Sequence, residues 1–165
     1  MRLNQRINNF FHKKYVNKLL EFLKQGTSPK ELALAVSIAF VLGIFPVIGS
    51  TTILCTLFGL AFRLNLPLIH LINYSVYPLQ LVLLVPFMKI GEMIFGFEKL
   101  SIGLSGIIDM IKDNIFNAIS VLWDVTLQGI GAWLITAPII ALILFAVIHP
   151  VFIKMESNLK KQNGN

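Results

Sequence analysis

Three stretches of the chain carry no formal charge: residues 32–62, 64–88 and 125–153. Each is longer than the ~20 apolar residues that cross a bilayer core. Charged residues are confined to the segments between and outside them. The pattern predicts an all-α integral membrane protein with broken or re-entrant helical hairpins, about two full crossings and amphipathic helices at the interface.

Element boundaries follow from the same pattern. Residues 1–26 interleave Arg2, Arg6, Lys13, Lys14, Lys18 and Lys24 with Phe11, Tyr15, Leu19, Phe22 and Leu23. Apolar spacings of three and four beside that much positive charge describe a basic amphipathic helix lying on an anionic membrane surface. Gly26 is placed to stop it. Ser28-Pro29-Lys30-Glu31 then starts a new helix: the serine caps, the proline gives up an N–H that has no use there, and Glu31 reaches back. Residues 27–100 are read as the core membrane domain, carrying two broken helical pairs. In 101–124, Leu104, Ile107, Ile108, Ile111 and Ile115 oppose Asp109, Lys112 and Asp113, the form of an interfacial amphipathic segment. Residues 125–155 are the C-terminal transmembrane helix, and 156–165 a polar tail expected to be without order beyond Leu159.

Length singles out the first uncharged stretch. As one helix, residues 32–62 would run about 46 Å, too long for a comfortable crossing of a core ~30 Å thick. Its middle reads Gly43-Ile44-Phe45-Pro46-Val47-Ile48-Gly49. Pro46 donates no backbone hydrogen bond, and Gly43 and Gly49 permit a sharp change of direction. Each half is about 20 Å, too short to cross alone. The expected form is a re-entrant hairpin with its tip at 43–49, although one kinked helix and two full crossings remain open. Ala35, Ala39 and Gly43 form a strip of small side chains that lets another helix approach closely. A second break is expected at Asn73-Tyr74-Ser75-Val76-Tyr77-Pro78, where His70, Asn73, Ser75, Tyr77 and Gln80 are unusual company in an apolar run and should face protein or a wet cavity.

Charge sets the orientation. Residues 1–30 sum to +6, 89–124 to −2, and the tail from Lys154 to +2. Basic segments stay in the cytoplasm, so both termini are expected there after an even number of crossings. Only 13% of residues are charged and 56% are apolar, against roughly 25% charged in a soluble domain. The basic arm would also attract nucleic acid, but its contiguous apolar side makes the membrane surface the expected partner. The N-terminus lacks the form of a cleaved secretory signal. The single cysteine, Cys55, forms no internal disulfide and reads as a small buried residue.

Candidate chemistry is sparse. Gly49, Ser50, Thr51 and Thr52 open the second arm of the hairpin with free N–H groups and hydroxyls, a combination that attracts anions, though the hydroxyls also suit a plain helix cap. Arg63 sits between two apolar runs, where it either snorkels to the interface or meets a lipid phosphate. With Asn73 these residues make a candidate site for an anionic lipid. Gly43, Pro46, Gly49 and Pro78 are the expected hairpin breaks. Glu92 and Glu98 have no nucleophile, metal-ligand spacing or phosphate loop beside them, so no enzymatic activity, cofactor or metal is expected.

Gly26-Thr27-Ser28-Pro29-Lys30-Glu31-Leu32-Ala33, the 43–49 segment with Thr51-Thr52, Arg63-Leu64-Asn65-Leu66-Pro67 and the 73–78 segment together resemble the bacterial membrane family known as domain of unknown function 2062, over roughly residues 19–100. In that family Asn commonly precedes Pro directly in the second break, whereas here Tyr77 precedes Pro78. The resemblance implies an inner-membrane protein, in some members joined to a glycosyltransferase domain of the type that uses polyprenyl-phosphate lipids. Two functions are expected on these grounds: binding and translocation of an anionic, polyprenyl-phosphate-like lipid in envelope biogenesis, or, alternatively, a non-catalytic scaffold that docks an envelope enzyme through its basic helix and small-residue strip. With so few crossings, a homo-oligomer is expected in either case.

Overall fold

The computed structural model of the protein describes residues 27–95 and 115–163. The surface helix expected over 1–26, its stop at Gly26 and the interfacial segment up to residue 114 lie outside the described residues. Among the described residues all regular structure is helical: α1 (Pro29–Gly43), α2 (Thr51–Ala61), α3 (Leu66–Phe95) and α4 (Ile115–Asn163). The chain divides into two compact units, one containing residues 27–34 and 144–163 and the other residues 35–143.

In the first unit, α1 begins as its sequence dictates. The Glu31 N–H donates to Ser28 Oγ at 3.2 Å, and the Ser28 N–H donates to Glu31 Oε2 at 2.9 Å. This reciprocal box satisfies two groups that a helix start leaves bare. Leu32, Ala33 and Phe152 are buried, and the rings of Phe145 and His149 stack at 5.2 Å. The polar tail is helical rather than without order, because α4 continues to Asn163. Met155, Glu156 and Lys161 are good helix formers, and a lysine close to a C-terminus complements the helix dipole.

The second unit contains the interrupted stretch. Fifteen residues of α1 and eleven of α2 make helices of about 22 and 16 Å, shorter than a bilayer core. The chain is non-helical from Ile44 to Ser50 between them. The small-residue strip is covered from within this chain: Ala35 and Ala39 are buried, and a Cβ at Gly43 would lie 3.3 Å from Asn73 Oδ1 and 3.4 Å from Val76 Cβ on α3. Helices α3 and α4 meet at glycine as well. A Cβ on Gly91 would run into the Gln128 backbone, and one on Gly129 would lie 3.6 Å from both Met88 and Pro46.

The second expected break is absent. Helix α3 passes without interruption through residues 73–78, with Pro78 and Pro86 inside it. Each proline deprives one carbonyl of its donor, but in apolar surroundings leaving the helix would strand several backbone groups instead of one. The polar residues that suggested a break are a helix face, with Asn73, Val76 and Gln80 all buried. The C-terminal helix also differs from its expected bounds: it starts at Ile115, so the end of the interfacial segment and the apolar run form one helix of 49 residues.

Two helical segments, Leu66–Phe95 and Leu122–Asn158, are long and apolar enough to cross a membrane. Much of their apolar surface faces outward, including Val82 (68% exposed) and Leu142 (69%). Monomeric soluble proteins rarely expose contiguous apolar surface on this scale.

Candidate functional site

The interruption between α1 and α2 is built from a shortage of donors. Pro46 has no N–H, so the Phe45 N–H serves the Leu42 carbonyl (3.2 Å) and the Val47 N–H turns to the Phe45 carbonyl (2.9 Å). Phe45 would otherwise have served Val41 in the helical register. The Val41 carbonyl is taken up instead by the indole of Trp133 on α4, whose Nε1–H donates to it at 2.8 Å. The Trp133 ring also stands edge-on to Phe45, with centroids 4.8 Å apart. Gln80 on α3 donates through Nε2 to the Phe45 carbonyl at 2.7 Å and more weakly to Val47 at 3.4 Å. Irregular backbone among apolar helices is stable only when protein satisfies it in this way.

The face of α3 towards this segment carries acceptors without donors. Asn73 Oδ1, Gln80 Oε1 and His70 Nδ1 are buried and have no hydrogen-bond partner. Thr56 donates its hydroxyl to the Thr52 carbonyl at 2.8 Å, so its oxygen is free to receive a hydrogen bond from His70 Nε2 at 3.3 Å. That assignment leaves the His70 Nδ1 lone pair as the orphan.

The sequence-selected residues separate into three places. Gly49 makes the turn into α2 with φ +88°, a conformation that favours glycine. Ser50 does not cap the helix: its hydroxyl donates back to the Val47 carbonyl at 2.8 Å. Thr51 is buried, and Thr52 is half-buried with its carbonyl occupied by Thr56. Arg63 lies beyond the other end of α2, and the helix, eleven residues long, puts about 15 Å of rise between Thr51 and Ala61. One phosphate therefore does not bridge Arg63 and the 50–52 segment. Asn73 belongs to neither place, since it faces Gly43 at the end of α1.

Arg63 occupies a defined corner. The Leu64 N–H donates to the Gly59 carbonyl at 2.8 Å and the Arg63 N–H to the Leu60 carbonyl at 3.2 Å, the two bonds of a Schellman closure. That closure needs a left-handed residue, and Arg63 supplies it at φ 52°. Asn65 then caps α3 by accepting the Leu68 N–H at 3.0 Å. The side chain of Arg63 is exposed. Its predecessor Phe62, with Phe58, forms one wall of an apolar cavity of about 220 Å³ whose other walls include Val41 and Leu42 of α1 and Trp133 and Pro138 of α4.

Sequence reasoning did not single out Trp133 as a partner of the break. It gave Gln80 no task beyond facing inward. A signal existed for Gln80, because Asn73 and Gln80 are seven residues apart, a spacing that keeps both on one helical face. Nothing local to Trp133 connects it with Val41, 92 positions away.

Residues 13–160 match the family described as "Uncharacterized protein conserved in bacteria (DUF2062)". No curated protein and no solved structure matches the chain.

Proposed function

The chain belongs to the bacterial family DUF2062, and from that premise we propose that it is a multi-pass inner-membrane protein that binds an anionic, polyprenyl-phosphate-like lipid and takes part in its translocation during envelope biogenesis. The observation that carries this reading is Arg63. A non-glycine residue in the left-handed region costs about 1–2 kcal/mol, so glycine would suit that corner better. A cation is held there all the same, exposed and directly after the aromatic wall of a wholly apolar cavity. A cation at an interface beside an apolar cleft is complementary to a phosphate carrying one hydrocarbon chain.

Membrane placement draws on the outward apolar faces of α3 and α4 and on the two helices too short to cross. With α1 and α2 re-entering from the cytoplasmic side and the two long helices crossing, both termini remain inside, as the charges of the basic arm and tail require. The scaffold alternative is weaker, because the small-residue strip it would use is already covered within the chain.

The test is binding of farnesyl phosphate and of farnesol to the protein in nanodiscs. The parent should prefer the phosphate at least tenfold. Arg63→Ala should abolish the preference, and Thr51→Val, buried at the far end of α2, should leave it intact. An undiminished preference in Arg63→Ala would refute the reading.

A further inference from the structure

The end of α1 gathers buried oxygens that have no hydrogen-bond donor. Helix C-termini carry about half a negative charge on their free carbonyls, and α1 has no basic residue in its last turn. The Gly43 carbonyl lacks both of its usual donors: Pro46 has no N–H, and the Val47 N–H goes to Phe45. Two side-chain oxygens of α3 without partners lie beside this segment, Asn73 Oδ1 next to Gly43 and Gln80 Oε1 on the amide that serves Phe45 and Val47. Asn73 is 3% exposed, and its Oδ1 lies 3.3 Å from the position a Cβ on Gly43 would take. Gln80 is 0% exposed, and its amide orientation is fixed by the two carbonyls that Nε2 serves, which leaves Oε1 as the orphan.

We propose that the end of α1 binds a monovalent alkali cation, held by the Gly43 carbonyl and the side-chain oxygens of Asn73 and Gln80, with water completing its shell. Every protein donor is a neutral oxygen, which suits a single positive charge. Divalent ions of this hardness take carboxylates, and among the described residues no group of three or more His, Cys, Asp or Glu gathers to hold a metal. A half-helix C-terminus with unwound carbonyls beside it is a general way to hold a coupling ion within a membrane. The cation would also remove the penalty of leaving buried acceptors unpaired. The inference goes beyond the lipid reading and is tested separately from it.

The experiment compares the full chain in detergent in sodium, potassium and choline chloride at equal ionic strength, with equilibrium binding of radioactive sodium and rubidium measured alongside. Sodium or potassium should raise Tm over choline by about 3 °C or more, and the rise should saturate with concentration. Asn73→Ala should lose that rise while being no less stable than the parent in choline, because it deletes an orphan acceptor. Asn73→Asp should bind the cation at least tenfold more tightly. If Asn73→Ala does not fold, the radioligand titration of the parent decides alone. Equal Tm in all three salts with no saturable binding overturns the proposal, and means that the Asn73 amide turns over to donate to the Gly43 carbonyl. A rise retained in Asn73→Ala overturns the residue assignment.

Discussion

Replacing Trp133 by phenylalanine keeps an aromatic ring against Phe45 but removes the N–H that the Val41 carbonyl accepts at 2.8 Å. Val41 and Trp133 are both buried, and the helical donor for Val41 is committed to Leu42 because Pro46 offers nothing. The variant therefore strands a buried carbonyl, at about 1–3 kcal/mol, and leaves a small cavity worth about 1 kcal/mol. The summed loss of about 2–4 kcal/mol is measurable by far-UV circular dichroism during SDS-driven unfolding in mixed micelles. A second substitution isolates the carbonyl. Pro46→Ala restores an N–H that serves Leu42, releasing the Phe45 N–H for Val41. In that background Trp133→Phe should cost only the cavity contribution of about 1 kcal/mol. If its cost is the same in both backgrounds to within about 0.5 kcal/mol, the account of the break as a donor shortage met by Trp133 is wrong.

Three further outcomes follow from the geometry. Arg63→Gly should raise unfolding stability by about 1 kcal/mol through relief of the left-handed strain while losing the phosphate preference in the farnesyl assay, so that stability and binding move in opposite directions. Gly49→Ala should cost about 1–2 kcal/mol from backbone strain alone, since a Cβ there meets nothing within 4 Å; a larger loss in SDS unfolding would mean that an unseen neighbour crowds the turn. Gly91→Val should cost about 3 kcal/mol or more, because its side chain meets the Gln128 backbone rather than a movable side chain, and near-parental unfolding would contradict the close approach of α3 and α4.

Local signals in the sequence were good guides wherever the deciding chemistry was itself local. The start of α1 is legible in Ser28 and Glu31, three residues apart, and the interruption of residues 32–62 in a proline flanked by glycines. The second interruption was misread because polarity and proline were weighed without their period. His70, Asn73 and Gln80 recur on one face, which marks a buried side of a continuous helix, and a single proline takes one hydrogen bond from a helix thirty residues long. Arg63-Leu64-Asn65 was read through its charge, although its backbone role as a helix stop and start is equally strong. The candidate lipid site was the least legible part. Thr51 and Arg63 are close in sequence, yet an intervening helix keeps them apart, while Trp133 reaches Val41 across 92 positions. Distances of that kind are set by packing, which no local pattern encodes.

A stretch 32–62 that enters and leaves the membrane on one side would keep both of its ends on the cytoplasmic face. In a Cys55→Ser background, single cysteines replacing Lys30 and Arg63, both exposed, can be challenged with a membrane-impermeant maleimide on intact cells and on inverted vesicles. Labelling of both positions in inverted vesicles, with neither labelled on intact cells, is the predicted result. Labelling of position 63 on intact cells with position 30 protected would show that the stretch crosses the membrane, and would contradict the re-entrant hairpin.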